Sequence, residues 1–179
     1  MFSIRLAAAE DYPAVCAFYR DLIDACAADP CFPPWKMGIH PTEPMLSSAI
    51  SAQTLYLGTE NGAICAAMIV NSDVPAGYAD GVWQSVLEER EYLVLHLLAV
   101  ARDCRRRGLA GAMVRGALEA ARRAGKRSLR LDAWDGNAPA HALYRSLGFS
   151  DAGRMHETYD DGSSLDFYLF EYPLVEETA

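Results

Sequence analysis

The chain has 179 residues, 51% of them hydrophobic, enough for one compact domain with a real core, and no apolar stretch approaches the roughly 18 residues of a membrane span. Its formal charge is -8, yet nine basic residues against two acidic ones fall between Arg102 and Arg127, which leaves the remainder at -15. That remainder repels a nucleic-acid backbone, so neither nucleic acid nor a membrane is an expected partner, and a compact anion fits the basic segment better.

Residues 2–6 alternate like a strand and lack the cationic start and apolar block of a signal peptide. The five cysteines, Cys16, Cys26, Cys31, Cys65 and Cys104, are odd in number and contain no Cys-x-x-Cys. Reduced thiols, a cytoplasmic location and no metal are therefore expected. Over 10–28, Val15, Phe18, Tyr19, Leu22, Ile23 and Cys26 recur at helical spacing and predict an amphipathic helix. Residues 29–44 hold five prolines with Trp35, Met37 and His40, a shaped loop, and 44–52 form a short helix. Residues 54–60 and 63–71 read as strands joined by Asn61-Gly62, a two-residue hairpin signal. An irregular flap over 72–89 precedes the apolar run 92–100, which suits a central strand covered on both faces.

A long Ala-rich helix follows from Leu109 to a stop at Gly125, its small-residue stripe suited to close packing on a sheet. Residues 128–133 alternate as a strand, so strand, helix and strand make a right-handed crossover between parallel neighbours. A short helix over 138–147 and two strands near 149–159 and 165–172 complete the chain, with Asp160-Asp161-Gly162 turning between them. No repeat or linker interrupts 1–179, which reads as a single mixed α/β domain.

Chemistry concentrates where the apolar strand ends. Arg105-Arg106-Arg107-Gly108-Leu109-Ala110-Gly111 sets cationic side chains, unpaired backbone N–H groups and the positive end of a helix dipole at one point, which binds anions and phosphates above all. Neither a P-loop nor a G-x-G-x-x-G after a strand is present. What stands there is Arg105-x-x-Gly108-x-Ala110 after a strand ending Leu98-Ala99-Val100, and farther on Asn137-x-x-Ala140-x-x-Leu143-Tyr144-x-x-x-Gly148-Phe149. In that order the two segments resemble the GNAT superfamily of N-acetyltransferases, over about 97–149.

The resemblance implies a central, mixed, mostly antiparallel sheet of six or seven strands with a parallel splayed pair, flanked by about four helices. It implies acetyl-CoA as acyl donor, with the pyrophosphate cradled by N–H groups of Arg106, Arg107, Gly108, Leu109, Ala110 and Gly111 and the arginine side chains adding charge. Leu98, Ala99 and Val100 would meet the pantetheine arm through their backbones, and the Leu98 N–H would polarise the thioester carbonyl. Asn137 reads equally as an N-cap and as a contact to that arm. Tyr144 matches the family tyrosine near the cofactor sulfur, a general acid for the departing thiolate, though its stripe also suits the core. His96 and Glu91 are the candidate general bases, His96 reading equally as a hydrogen-bonded core histidine. Cys104 has no His/Asn or His/Asp constellation to make it a nucleophile.

The implied activity is acyl transfer to a primary amine, small molecule or protein, by direct attack; the rival is a non-catalytic acyl-CoA-binding or sensor module. The acceptor is expected to meet 30–44, 72–83 and the last hairpin, with Trp35, Tyr78, Trp83 and Tyr159 as aromatic candidates. The sequence leaves room for a homodimer.

Overall fold

Helix starts and turns account for much of the architecture in the computed structural model, which describes residues 1–159 and 161–174. Asp160 of the expected turn lies outside the described residues. Among those residues are seven strands, β1 (Phe2–Leu6), β2 (Leu55–Glu60), β3 (Ala63–Asn71), β4 (Tyr92–Val100), β5 (Ser128–Trp134), β6 (Ser150–Thr158) and β7 (Ser164–Pro173). Four α-helices accompany them, α1 (Tyr12–Cys26), α2 (Glu43–Ser51), α3 (Leu109–Arg123) and α4 (Ala138–Ser146). Hydrogen-bonded neighbours run in the order β1-β2-β3-β4-β5-β7-β6, with β4 and β5 parallel and β1–β2, β2–β3, β5–β7 and β6–β7 antiparallel. This is the mixed sheet with one parallel pair expected from the sequence.

The chain divides into two compact units, one of Met1–Val70 with His96–Gly116, the other of Asn71–Leu95 with the described residues from Ala117 on. In the first unit, Asn61 and Gly62 both take positive φ, 52° and 82°, the backbone a two-residue hairpin of twisted strands requires. Thr42 caps α2 by accepting from the Met45 N–H at 3.2 Å, and prolines stand in the first turns of α1 and α2. The core joins Val15, Tyr19 and Leu22 of α1 to Leu46, Leu55, Leu57, Leu97 and Ala99. Trp35 packs against the same cluster, so the proline-rich segment closes one side of this core.

In the second unit the parallel register pairs Tyr92 with Ser128 and ends at Leu95 with Leu131. Its core gathers Tyr78, Tyr92, Val94, Ala152, Met155, Phe167 and Leu169, with Trp83, Trp134 and Tyr159 packed on it. Of the four aromatics considered for the acceptor, Trp35 thus belongs to the first unit's core and the other three to the second's. The 3-10 turn Ala76–Asp80 within the expected flap carries Tyr78 into that core, 3% exposed.

Candidate active site

The first unit holds the turn expected to bind an anion. After β4 the chain makes a 3-10 turn at Arg102–Cys104, and Arg106 and Gly108 then take left-handed φ of 59° and 77°. A Cβ built on Gly108 meets nothing within 4 Å, so the space over its backbone is open. Ala112 makes the first helical bond of α3, to the Gly108 carbonyl at 3.0 Å. Among the described residues, no backbone N–H from Arg106 to Gly111 has a protein acceptor. A run of N–H groups at a helix start, with no side chain over its glycine, is the backbone arrangement that suits a phosphate.

The three arginines do not contribute alike. Arg105 donates to Asp29 Oδ2 at 2.9 Å and Cys26 Sγ at 3.0 Å, its guanidinium 5.8 Å from the centre of the Phe32 ring. Asp29 is held below its ordinary carboxylate range by the Cys31 N–H and then by Arg105. Arg107 bonds both carboxylate oxygens of Glu60, at 2.9 and 2.7 Å. Arg106 alone of the three has no ion-pair partner among the described residues. Two of the three charges expected for the ligand are therefore engaged within the protein.

β4 carries a local irregularity beside the turn. Leu97 adopts φ 51°, a left-handed conformation rare for a branched aliphatic residue, and breaks the pleat as a β-bulge does. Its carbonyl accepts from the Tyr19 hydroxyl at 2.8 Å. Leu98 and Val100 are half-buried, whereas Leu97 and Ala99 are buried. His96 is half-buried, and His40, whose ring centre lies 6.2 Å from Trp35, is pushed down to about 4 by burial and then by the nearby His96.

The second unit holds Asn137, Tyr144 and Glu91. Asn137 Oδ1 accepts from the Ala140 N–H at 3.2 Å and caps α4, with Pro139 in the first turn. The cap uses the oxygen only, and among the described residues the amide NH2 has no acceptor. Two turns farther on, Tyr144 is 6% exposed, its ring between Phe149 and Phe170 at centroid distances of 5.7 and 5.5 Å. Its hydroxyl has no hydrogen-bond partner among the described residues, and no buried side-chain oxygen there lacks one. The Tyr144 oxygen must therefore reach solvent although its ring does not. Burial, with the charge of Asp132 added, holds this hydroxyl well above its ordinary pKa, so it stays protonated throughout the neutral range.

Asp132, which sequence reasoning passed over as an outward polar residue of β5, is the carboxylate near Tyr144. It stands one residue past the end of the parallel ladder and accepts from the buried Tyr78 hydroxyl at 2.9 Å. Burial raises it from an ordinary 3.8 to about 6, with Glu157 adding to the rise and the Tyr78 bond opposing it. Glu91 sits elsewhere. Preceding Tyr92 at the other end of the ladder, it is separated from Asp132 by about 15 Å at ~3.3 Å per residue. It accepts from the Glu88 N–H at 2.9 Å and from Arg127 at 2.9 Å, which together hold it below its ordinary value. Asp132 thus lies near enough to Tyr144 to act on it electrostatically, whereas Glu91 is engaged in a local cap and an ion pair.

Comparison with known proteins gives the family. The model of the Acetyltransferase (GNAT) family matches residues 27–149. No curated protein matches the sequence. Among solved structures, a GNAT-family acetyltransferase from Streptococcus agalactiae superposes with TM-score 0.79 at 20% identity, over 98% of this chain and 96% of that one. The yncA acetyltransferase of Salmonella typhimurium, solved with acetyl-CoA, gives 0.69 at 19% identity, over 100% and 97%. The ribosomal-protein-S18-alanine N-acetyltransferase of Escherichia coli gives 0.68 at 23% identity, over 100% and 99%. With the family model spanning both the arginine-glycine turn and the Asn137 to Phe149 segment, the chain belongs to the GNAT family of acetyltransferases.

Proposed function

We propose that residues 1–179 act as one acetyltransferase domain that moves the acetyl group of acetyl-CoA to an amine by direct attack, small molecule or protein. The observation that carries the reading is the run of backbone N–H groups from Arg106 to Gly111 that lack a protein acceptor among the described residues, in a chain that the GNAT family model matches over 27–149. Tyr144, whose hydroxyl likewise has no partner there, supplies a proton donor that a protein sensing acyl-CoA would not need.

The unpartnered N–H groups from Arg106 to Gly111 fit a pyrophosphate, and in this reading they hold it with Arg106 adding charge. Acetyl-CoA supplies the activated acyl group when bound. The backbone of Leu98, Ala99 and Val100 meets its arm, the Leu98 N–H stabilises negative charge on the acyl oxygen, and Asn137 donates its remaining amide hydrogens. An alkyl ammonium has a pKa near roughly 10.4, so the acceptor arrives protonated and must first release one proton to solvent to free its lone pair. The amine then attacks the thioester carbon, and Asp132 takes the second proton from the nitrogen of the tetrahedral adduct. The C–S bond breaks as Tyr144 gives its proton to the departing sulfur, and the proton held by Asp132 then restores the Tyr144 hydroxyl. Asp132 displaces Glu91 from the role of base because Glu91 is already paired and held low. His96, half-buried near His40, then serves to line the acceptor side.

Release of the coenzyme A thiol on mixing acetyl-CoA with a panel of primary amines tests the reading. Coenzyme A binding with no release for any amine would sink it in favour of a sensor. Tyr144→Phe should lower kcat about 10²-fold and leave coenzyme A affinity within a few-fold, read from steady-state kinetics and calorimetry. Equal rates would reduce Tyr144 to a core residue. Gly108→Ala should weaken coenzyme A binding at least ~tenfold, because its methyl group enters the open space of the cradle. The left-handed φ makes alanine strained by about 1 kcal/mol, so the melting temperature should fall only ~2–4 °C. Unchanged affinity would remove the turn from the site.

A further inference from the structure

The Tyr19 hydroxyl is the one polar group of α1 that reaches β4 at its irregular residue. Tyr19 is fully buried, and its ring is fixed edge-on by Phe18 at 5.3 Å and tilted against Trp35 at 6.3 Å. From there it donates to the Leu97 carbonyl at 2.8 Å, across 78 residues of sequence. Burial holds this hydroxyl far above its ordinary pKa, so it remains a donor at every working pH.

The Leu97 carbonyl and the Leu98 N–H belong to one peptide plane. The only cis bond among the described residues is His40-Pro41, so this plane is trans and the two groups point in opposite directions. Fixing the oxygen therefore fixes the N–H. Leu97 pays for its φ of 51°, and a left-handed leucine persists only where neighbours over-determine it. A hydrogen bond to the carbonyl also polarises the amide, which makes its N–H a stronger donor.

We infer that Tyr19 is a positioning residue for the reaction: by holding the Leu97 carbonyl it aims the Leu98 N–H at the acyl oxygen. The inference rests on the acetyltransferase reading above. It predicts an effect on the acyl group and none on the rest of the coenzyme. A residue that merely packed α1 onto the sheet would alter both or neither.

The test compares wild type, Tyr19→Phe and Leu22→Ala. Leu22→Ala truncates a core residue of the same helix and leaves in place Phe18 and Trp35, which fix the Tyr19 ring. Calorimetry measures coenzyme A and acetyl-CoA binding, steady-state kinetics gives kcat and KM, and ¹⁵N NMR follows the Leu98 amide. In Tyr19→Phe, kcat should fall ~10- to 100-fold, a part of what loss of a whole oxyanion donor costs. Coenzyme A affinity should stay within about threefold, and the Leu98 amide proton should move upfield. Leu22→Ala should lower the melting temperature and keep kcat. Should Tyr19→Phe fail to fold, 3-fluorotyrosine at position 19 keeps the bond with a stronger donor, and the Leu98 proton should move downfield.

Wild-type kcat in Tyr19→Phe, an unmoved Leu98 amide, or an equal loss of kcat in Leu22→Ala would each overturn the inference while leaving the acetyltransferase reading intact. Failure of the wild type to bind coenzyme A or acetyl-CoA would overturn both.

Discussion

Asp132→Asn should lower kcat by about 10²- to 10⁴-fold without destabilising the protein. The groups facing this carboxylate are Tyr78, which donates to it, Tyr144, Tyr159 and Glu157, and none of them is a cation. The fold raises Asp132 above its ordinary 3.8, so its contribution to stability is fully present below that value and lost as pH rises through about 6. Above pH 6 the protein therefore holds an ionised carboxylate at a cost. Asparagine removes that cost and keeps an oxygen for the Tyr78 hydroxyl. The melting temperature of the variant should equal or exceed that of wild type at pH 8, and the difference should vanish near pH 4. Wild-type kcat/KM should rise with pH along a limb near 6, and the variant should lack this limb. A variant that melts lower at pH 8 and keeps the limb would make Asp132 a structural residue. Activity lost where stability is gained is the signature of a group retained for chemistry.

The same residue shows where the sequence is legible and where it is not. β1, β3 and β4 begin and end where alternation and apolar runs place them, and the Asn61-Gly62 turn and the Asn137 cap follow local rules. Such features depend on residues a few positions apart. Asp132 alternates with Leu131 and Ala133 as an outward residue of a half-buried strand would, and its burial depends on Tyr78, 54 residues away. The left-handed Leu97 has no local sign, since neither glycine nor asparagine marks it; its partner lies on α1. Arg105 reads as a ligand contact because the turn is cationic, yet Asp29 has captured it from 76 residues upstream. The open backbone turn at Gly108 and the start of α3 were thus readable locally, whereas the ion pairs of Arg105 and Arg107 were not. Glu91 misled for the reverse reason: its place beside an apolar strand is local, and the Arg127 that neutralises it is 36 residues on.

Glu171→Ala should be the most destabilising single change in the second unit, by about 3–5 kcal/mol. Glu171 is fully buried, and its carboxylate accepts from Arg130 at 3.0 Å, Ser128 at 2.9 Å, and the N–H groups of Gln84 and Ser85 at 2.7 and 3.2 Å. Arg130, 3% exposed, lies between the rings of Trp83 and Tyr92, at 4.2 and 4.0 Å from their centres. Truncating the carboxylate strands this guanidinium in a dry site and frees two backbone donors, which is why removing one member of a buried pair costs more than the pair contributes. At ~2–4 °C per kcal/mol for a chain of this length, the melting temperature should drop by about 6–20 °C. The loss should reach the chemistry as well. Residues 84 and 85 are moored by Glu171, the adjacent Trp83 donates to the Tyr78 carbonyl at 2.8 Å, and Tyr78 in turn holds Asp132. At a temperature where the variant is still folded, its kcat/KM limb should shift from 6 as the Tyr78–Asp132 bond loosens. Arg130→Met with Glu171→Leu, which removes both charges, should recover most of the stability. If the double variant melts as low as Glu171→Ala, the cost lies in packing around the rings and not in the stranded charge.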